Sequence, residues 1–194
     1  AVARSGCPNP VAVRLTRAAI SSWAEAPVAT PAAPVLEAHL GEAEMQKVVG
    51  SAVTALKGAK QPRLHLGVGA AGAASLARQV AELTGCMVST TFSGKGTFPE
   101  SHPLWMWPAV GHAVPPAFKQ AEASCDVWII VGARMGELSA AHYRWNAPRV
   151  AFHVDIDPSV PGANVKGAIQ IVADAAVFLA ALLRALEPEK AAMS

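Results

Sequence analysis

The chain has 194 residues, of which 52% are hydrophobic and 15% are charged, enough for one ordinary domain with a sizeable core and an additional segment. Its 16 basic and 14 acidic residues give a formal net charge of +2, which argues against a basic nucleic-acid-binding module. The longest uncharged apolar stretches, 127–133 and 175–183, are far shorter than the ~18 residues of a membrane-spanning helix, so we expect a soluble protein that binds neither nucleic acid nor membranes.

The first 40 residues differ in pattern from the rest of the chain. Residues 11–15 alternate like a short strand, and three prolines stand within the nine residues 26–34. Closely spaced prolines cannot continue a helix and resist a place in a central strand. We therefore predict an extended Pro/Ala-rich linker over residues 26–40 and a separate structural unit before it.

Helical periodicity begins directly after this linker. Apolar residues recur at the i, i+3, i+4, i+7 spacing of one helix face. They are Met45, Val48, Val49, Ala52, Val53 and Leu56. The spacing predicts a helix over residues 42–57, which ends at Gly58.

From residue 63 onward, short apolar runs alternate with helical periods. The predicted strands cover residues 63–66, 86–91, 127–131, 149–155 and 168–172. The predicted helices cover residues 73–84, 117–123 and 175–186, and a Gly- and Pro-rich region lies between residues 93 and 116. Strands that alternate with helices indicate βαβ units and therefore an α/β fold with a parallel sheet.

A glycine-rich turn follows the first strand of this series. Residues 67–73 read GVGAAGA, the GxGxxGA spacing that lets a pyrophosphate approach bare backbone N–H groups at a helix N-terminus. The acidic residue expected about 20 positions later, which would hold the ribose, is missing because the next strand ends Ser89-Thr90-Thr91. The spacing therefore fits either a dinucleotide-binding turn or a tight structural turn.

Later strand ends carry further candidate binding residues, since ligands of open α/β sheets collect at the carboxyl ends of the strands. These candidates are Gly132, Ala133, Arg134, Asp155, Ile156, Asp157 and Asp174. The arginine could bind a phosphate or remain a surface residue. The carboxylates at 155 and 157 could accept hydrogen bonds from ribose hydroxyls or cap the following turn, and Asp174 has the position of a helix N-cap.

Cysteine and histidine spacings argue against a disulfide framework and a metal site. The three cysteines form no CxxC, and the six histidines form no HxH or HxxxH pair. The sequence also contains no GxSxG, P-loop or HExxH motif, so no catalytic residue is predicted. Because no basic segment followed by an apolar one opens the chain, we expect a reducing, cytoplasmic location.

Several motifs follow one another in the order and at the separations typical of one enzyme family. Residues 88–104 read VSTTFSGKGTFPESHPL, residues 131–134 read VGAR, residues 153–158 read HVDIDP and residues 172–174 read VAD. Together they resemble the central domain of thiamine diphosphate-dependent decarboxylases and carboligases, above all those of the acetolactate synthase-like branch. The likeness covers about residues 40–187.

This resemblance implies a fold and a domain organisation. The implied fold is an α/β fold with a parallel six-stranded sheet and helices on both faces, akin to the deoxyhypusine synthase-like nucleotide-binding fold. Residues 1–25 would be a remnant of the preceding pyrimidine-binding domain, 26–40 the linker, 41–187 the central domain and 188–194 a tail. The chain would then be a fragment, with the remaining domains of its parent chain and further copies in a homo-oligomer as partners.

The resemblance also implies that the parent uses thiamine diphosphate and Mg²⁺ to decarboxylate or join 2-keto acids. In this family a glutamate of the pyrimidine-binding domain activates the cofactor, and a GDG motif of the third domain holds the metal and the diphosphate. No GDG occurs in this sequence. We therefore expect the chain by itself to be a non-catalytic domain.

In relatives of this kind the central domain holds FAD, ADP or no nucleotide. The residues that the resemblance assigns to a nucleotide site are Gly67, Gly69, Gly111, Gly132, Ala133, Arg134, Asp155, Ile156, Asp157, Ala173 and Asp174. Two departures from the flavin-binding branch bear on this site. Val114 would crowd a ligand lying on the backbone. Residues 135–138 read MGEL, where that branch tends to carry acidic residues and a second arginine. The pocket could therefore be functional or vestigial.

A second interpretation is a free-standing nucleotide- or NAD-binding regulatory module of the same fold. Such a module has no need of a strand, a helix and a proline-rich linker before its first βαβ unit. We therefore favour the central-domain interpretation.

Overall fold

A computed structural model describes residues 40–111, 114–143, 145 and 148–189. The predicted remnant at residues 1–25, the linker up to residue 39 and residues 190–194 of the predicted tail lie outside the described residues. Among the described residues, none of the helices combines the length and the hydropathy of a membrane-spanning segment.

The described part of the chain contains six strands and four α-helices. The strands are β1 (Pro62–Leu66), β2 (Met87–Thr90), β3 (Trp105–Pro108), β4 (Val127–Val131), β5 (Val150–Asp155) and β6 (Ile169–Val172). The helices are α1 (Glu42–Lys57), α2 (Ala74–Thr84), α3 (Pro116–Ser124) and α4 (Ala175–Leu186). Short 3₁₀ turns cover Val68–Ala73, Phe92–Gly94 and Glu187–Glu189.

All six strands form one parallel sheet in the order β3-β2-β1-β4-β5-β6. From β1 the chain adds β2 and β3 toward one edge of the sheet, and from β4 it adds β5 and β6 toward the other edge. Loops that leave neighbouring strands in opposite directions open a crevice at the carboxyl edge of the sheet. The sheet confirms the predicted α/β fold and places this crevice between β1 and β4.

Strand β3 lies in the Gly- and Pro-rich region where apolar periodicity predicts no strand. It is only four residues long, contains no β-branched residue and ends at Pro108. A proline is tolerated there because β3 is the edge strand of the sheet that the described residues form, and none of those residues pairs with its outer side. Its pairing with β2 is therefore a tertiary feature, with no local sequence signal.

One face of the sheet is covered by α1, α2 and α4. Helix α4 packs against both α1 and α2, and all three contribute to one hydrophobic core with the strands. The core side chains of the strands are Leu64, Leu66, Val88, Val127, Ile129, Val131, Phe152, Val154 and Ile171. Burial of such apolar area is the main force that holds helices to a sheet.

The opposite face carries α3 and the loops that follow β4 and β5. Strand β1 alternates Arg63-Leu64-His65-Leu66, so its two polar side chains lie opposite the leucines. Both Arg63 and His65 are fully buried, beside a second apolar cluster that includes Trp128. Polar and apolar groups are thus mixed on this face.

Candidate functional site

A small cavity lies at the carboxyl edge of the sheet, at the switch point where the strand order reverses between β1 and β4. We call it the switch-point cavity. Its volume is about 170 Å³. The lining residues are Gly69, Gly132, Val154, Asp155, Ile156, Ala173, Asp174 and Ala175. The fold therefore brings together residues from the loops after β1, β4, β5 and β6, and all but two of the lining residues, Val154 and Ala175, belong to the predicted site.

The glycine turn after β1 packs directly against the loop after β4. The N–H of Gly67 donates to Val131 O (2.9 Å) and the N–H of Gly69 donates to Gly132 O (3.1 Å). A Cβ at position 67 would lie 1.9 Å from Gly132 O, a distance no side chain can adopt. Because both N–H groups are bonded within the protein, this geometry favours the tight structural turn over a pyrophosphate cradle.

Each of the three predicted carboxylates caps a backbone turn. Asp155 Oδ1 accepts from the N–H of Asp157 (3.0 Å), and Asp157 Oδ1 accepts from the N–H (3.0 Å) and hydroxyl (2.7 Å) of Ser159. Asp174 Oδ1 accepts from two N–H groups in the first turn of α4, at 2.8 and 3.1 Å. Only Asp155 and Asp174 also line the cavity.

Asp157 is held in its charged form by its neighbours. The hydroxyl of Ser159 and then its N–H, with a smaller contribution from Arg134, hold the pKa of Asp157 below its usual value despite partial burial. The Arg134 guanidinium is half exposed, with Nη2 3.9 Å from Asp157 Oδ2. Neither residue is among those that line the cavity, so the predicted phosphate contact of Arg134 lies outside it.

The other predicted residues of this group have backbone roles. Ala133 is buried, and its carbonyl accepts from His153 Nε2 (2.8 Å). Gly111 has a left-handed φ of +64° and donates its N–H to both carboxylate oxygens of Glu122, at 3.0 and 2.9 Å. Gly111 thus belongs to a different part of the molecule from the cavity.

Glu122 connects Gly111 to a buried arginine that no sequence motif indicated. Arg63 donates from Nη1 to Glu122 Oε1 (2.9 Å), from Nε to Ser89 Oγ (2.7 Å) and from Nη2 to Ala109 O (3.0 Å). Its guanidinium also lies 4.1 Å from the ring centroid of Trp128. The alternation of polar and apolar residues in β1 was the available signal, since it places Arg63 on one face with His65.

His65 completes this buried polar group. Its Nδ1 lies 2.8 Å from Ser89 Oγ, and its Nε2 has no hydrogen-bond partner among the described residues. Burial, reinforced by the charge of Arg63, lowers the pKa of His65 well below its usual value. The ring is therefore neutral at neutral pH.

No group of three His, Cys, Asp or Glu side chains in the described ranges could hold a metal ion. The two cysteines there, Cys86 and Cys125, are free and buried. Burial raises the pKa of their thiols to about 12 and about 11, respectively. Reactive-cysteine chemistry is therefore disfavoured at both positions.

The sheet order and the crevice define a doubly wound α/β domain. Within that class, residues 49–182 match the family model of the thiamine pyrophosphate enzyme central domain. The chain belongs to this family, and the central-domain resemblance of its sequence is confirmed.

Curated relatives extend this assignment. A probable acetolactate synthase large subunit of Methanocaldococcus jannaschii is 40% identical over 121 residues, which cover 62% of this chain and 20% of the relative. The acetolactate synthase large subunit of Corynebacterium glutamicum is 34% identical over 168 residues (85% and 25%). A sulfoacetaldehyde acetyltransferase of Alcaligenes xylosoxydans xylosoxydans is 33% identical over 154 residues (76% and 25%). The chain thus spans about a fifth to a quarter of the length of these relatives.

A solved structure shows the same fold. An enzyme of Mycobacterium smegmatis assigned as thiamin diphosphate-dependent superposes with a TM-score of 0.57 at 24% sequence identity. The match covers 71% of this chain and 27% of that one. The six-stranded parallel sheet is therefore shared with a larger enzyme.

Proposed function

We propose that this chain acts as the central, non-catalytic domain of a thiamine diphosphate-dependent enzyme that decarboxylates or joins 2-keto acids. The observation that carries the proposal is the family match over residues 49–182, together with relatives named as acetolactate synthases. Thiamine diphosphate supplies the carbanion chemistry of such enzymes when it is bound. No group of three His, Cys, Asp or Glu side chains among the described residues could hold its Mg²⁺, and we propose that other domains of the parent bind the cofactor.

In this proposal residues 41–187 form the domain, and its partners are the remaining domains and a second copy of the parent in the cytoplasm. Exposed apolar side chains support such contacts. Val68, Phe92 and Leu138 are 63%, 49% and 72% exposed, and they lie in the loops after β1, β2 and β4 at one edge of the sheet. Exposed apolar residues gathered at one edge are typical of interaction surfaces.

The cavity at the switch point fits part of a nucleotide and is too small for a whole dinucleotide. Its volume of about 170 Å³ is below the ~300 Å³ at the lower end of ordinary ligand pockets. The carboxylates of Asp155 and Asp174 could accept hydrogen bonds from ribose hydroxyls, beside the bare backbone of Gly69 and Gly132. We therefore propose ADP or FAD as the nucleotide of this domain, with the ribose of the ADP portion at the cavity and the rest of the molecule outside it.

Chemical unfolding of the 194-residue chain in the presence of single ligands tests the nucleotide part. The ligands are FAD, ADP, coenzyme A, NAD, and thiamine diphosphate with magnesium. ADP at 100 times its dissociation constant should raise the free energy of unfolding by about 2.7 kcal/mol. An effect of NAD alone would instead favour the free-standing regulatory module, and no effect of any ligand would leave a purely structural domain.

Two matched variants test whether the nucleotide binds at the switch-point cavity. We expect Asp155→Asn to weaken the effect of ADP, because Asp155 lines the cavity and its charged oxygen is a better acceptor than an amide. Asp157→Asn is the control, since Asp157 caps a turn without lining the cavity. Equal loss in both variants would contradict the assignment of the cavity.

The non-catalytic role has its own test. Purified chain incubated with pyruvate, thiamine diphosphate and Mg²⁺ should release no carbon dioxide above a protein-free control. Release that follows the protein concentration would overturn the proposed role, whatever the outcome with ADP.

A further inference from the structure

A second, larger cavity lies between the loops that follow β4 and β5. Its volume is about 460 Å³, and its lining residues are Tyr143, Trp145, Ala163, Asn164 and Lys166. This volume falls within the ~300–1,000 Å³ typical of small-molecule pockets. None of its lining residues contributes to the switch-point cavity, so the two sites are separate.

The aromatic wall of this cavity is backed by the sheet. The ring centroid of Trp145 lies 4.9 Å from that of Trp128, with an interplanar angle of 34°. Trp128 is fully buried on β4 and carries the Arg63 guanidinium 4.1 Å from its ring centroid. A ligand ring that stacks on Trp145 would therefore rest on an indole that is itself packed against a buried tryptophan.

The second aromatic residue is held by an unfavourable backbone. Ala141, His142 and Tyr143 have φ values of +51°, +55° and +60°, the left-handed region that residues other than glycine rarely adopt in succession. The N–H of His142 donates to Glu137 O (2.7 Å), which holds this turn in place. Tyr143 itself is 56% exposed, so burial of its ring does not offset the strain. Backbone strain of this kind is concentrated at ligand sites.

The polar side chains that line this cavity favour a negatively charged ligand. Asn164 is fixed by the hydrogen bond from its Nδ2 to Arg134 O (3.1 Å). Lys166 contributes a cation, and no carboxylate stands among the described residues that line the cavity. From the two aromatic rings and the Lys166 ammonium, we propose that this cavity binds a small aromatic monoanion, with its ring against Trp145 and Tyr143 and its carboxylate at Lys166.

The test uses 2-naphthoate as the probe and neutral 2-naphthamide as its uncharged counterpart. Binding to the 194-residue chain is measured by calorimetry and by the indole N–H resonances of ¹⁵N-labelled protein. We expect 2-naphthoate to bind more tightly than 2-naphthamide and to shift the Trp145 resonance, which a Trp145→Phe variant identifies.

Charge variants distinguish this site from general attraction to a basic protein. Lys166→Gln should weaken 2-naphthoate about fivefold, the upper range for an exposed ion pair, and leave 2-naphthamide unchanged. Lys119→Gln, at an exposed position of α3, is the control and should change neither affinity. Tyr143→Ala, whose exposed ring can be removed without opening the core, should weaken both probes. Equal binding of the two probes, an unshifted Trp145 resonance or an unchanged affinity in Lys166→Gln would overturn the proposal.

Discussion

At Gly132 the loops after β1 and β4 approach each other so closely that only a hydrogen atom fits. A Cβ there would lie 2.5 Å from Gly69 C, and the residue has a φ of +60°. At Gly72, in the same glycine-rich segment as Gly69, a Cβ would have no neighbouring atom within 4 Å. Gly132 is therefore required for the close approach of the two backbones, whereas the structure leaves room for a side chain at Gly72.

We expect Gly132→Ala to lower the free energy of unfolding by about 2 kcal/mol or more, because a methyl group there meets backbone and a strained φ. Gly72→Ala should leave stability unchanged or raise it by about 0.5 kcal/mol, since it restricts only the unfolded chain. Urea titrations of both variants measure the difference. Similar urea midpoints for the two variants would show that the loops after β1 and β4 can separate with little loss of stability.

At the scale of elements, one ion pair connects three segments that are distant in sequence. Arg63 on β1 contacts Glu122 on α3, and both hold the segment after β3 through Ala109 O and the N–H of Gly111. Arg63 is fully buried and the Glu122 side chain is 13% exposed. Removal of one partner would leave an uncompensated charge in a buried, poorly solvated environment.

Glu122→Gln should therefore cost about 3 kcal/mol of stability, the range found when one partner of a buried pair is removed. The control is Glu82→Gln, which breaks the exposed i,i+4 pair with Arg78 and should have little effect. Thermal or urea unfolding of both variants checks this. If the two losses were equal, burial would not be the reason for the importance of the pair.

At the scale of the whole molecule, two buried histidines make stability depend on pH. Burial lowers the pKa of His65 well below its usual value, and burial also lowers that of His153. The unfolded chain binds protons at these histidines below about pH 6.5, whereas the folded chain does so only at lower pH. Their contribution to stability is thus intact above pH 6.5 and is lost as the pH falls from there toward the folded pKa values.

We expect the free energy of unfolding to fall by about 1.4 kcal/mol per pH unit for each such histidine below pH 6.5. Urea titrations between pH 7.5 and pH 5 measure this slope, and His65→Asn should reduce it. A slope that did not change in this variant would exclude His65 as its source. An imidazole NMR titration of the unsubstituted chain gives the folded pKa of His65 directly.

The sequence predicted helices and strands most accurately where a segment carries a regular apolar pattern that packs into the core. The bounds of α1, β4 and α4 agree with the prediction, because apolar periodicity or an unbroken apolar run specifies each of them. Asp174 is the predicted N-cap of α4, since a cap bonds only to backbone a few residues away. In contrast, β3 was predicted by no local pattern, because its pairing depends on β2.

Motifs and neighbours along the chain were sufficient to identify the family, the alternation of strands and helices and the N-cap role of Asp174. They left Asp155 and Asp157 open between ribose binding and turn capping. The fold was needed to show that one cavity is lined by Gly69, Gly132, Asp155, Ile156 and Asp174. Folding also brings Gly111 to Arg63 and Glu122 and packs Trp145 against Trp128, with the ring planes tilted by 34°. These groupings follow from the order of the strands in the sheet, which joins residues that are far apart in the chain.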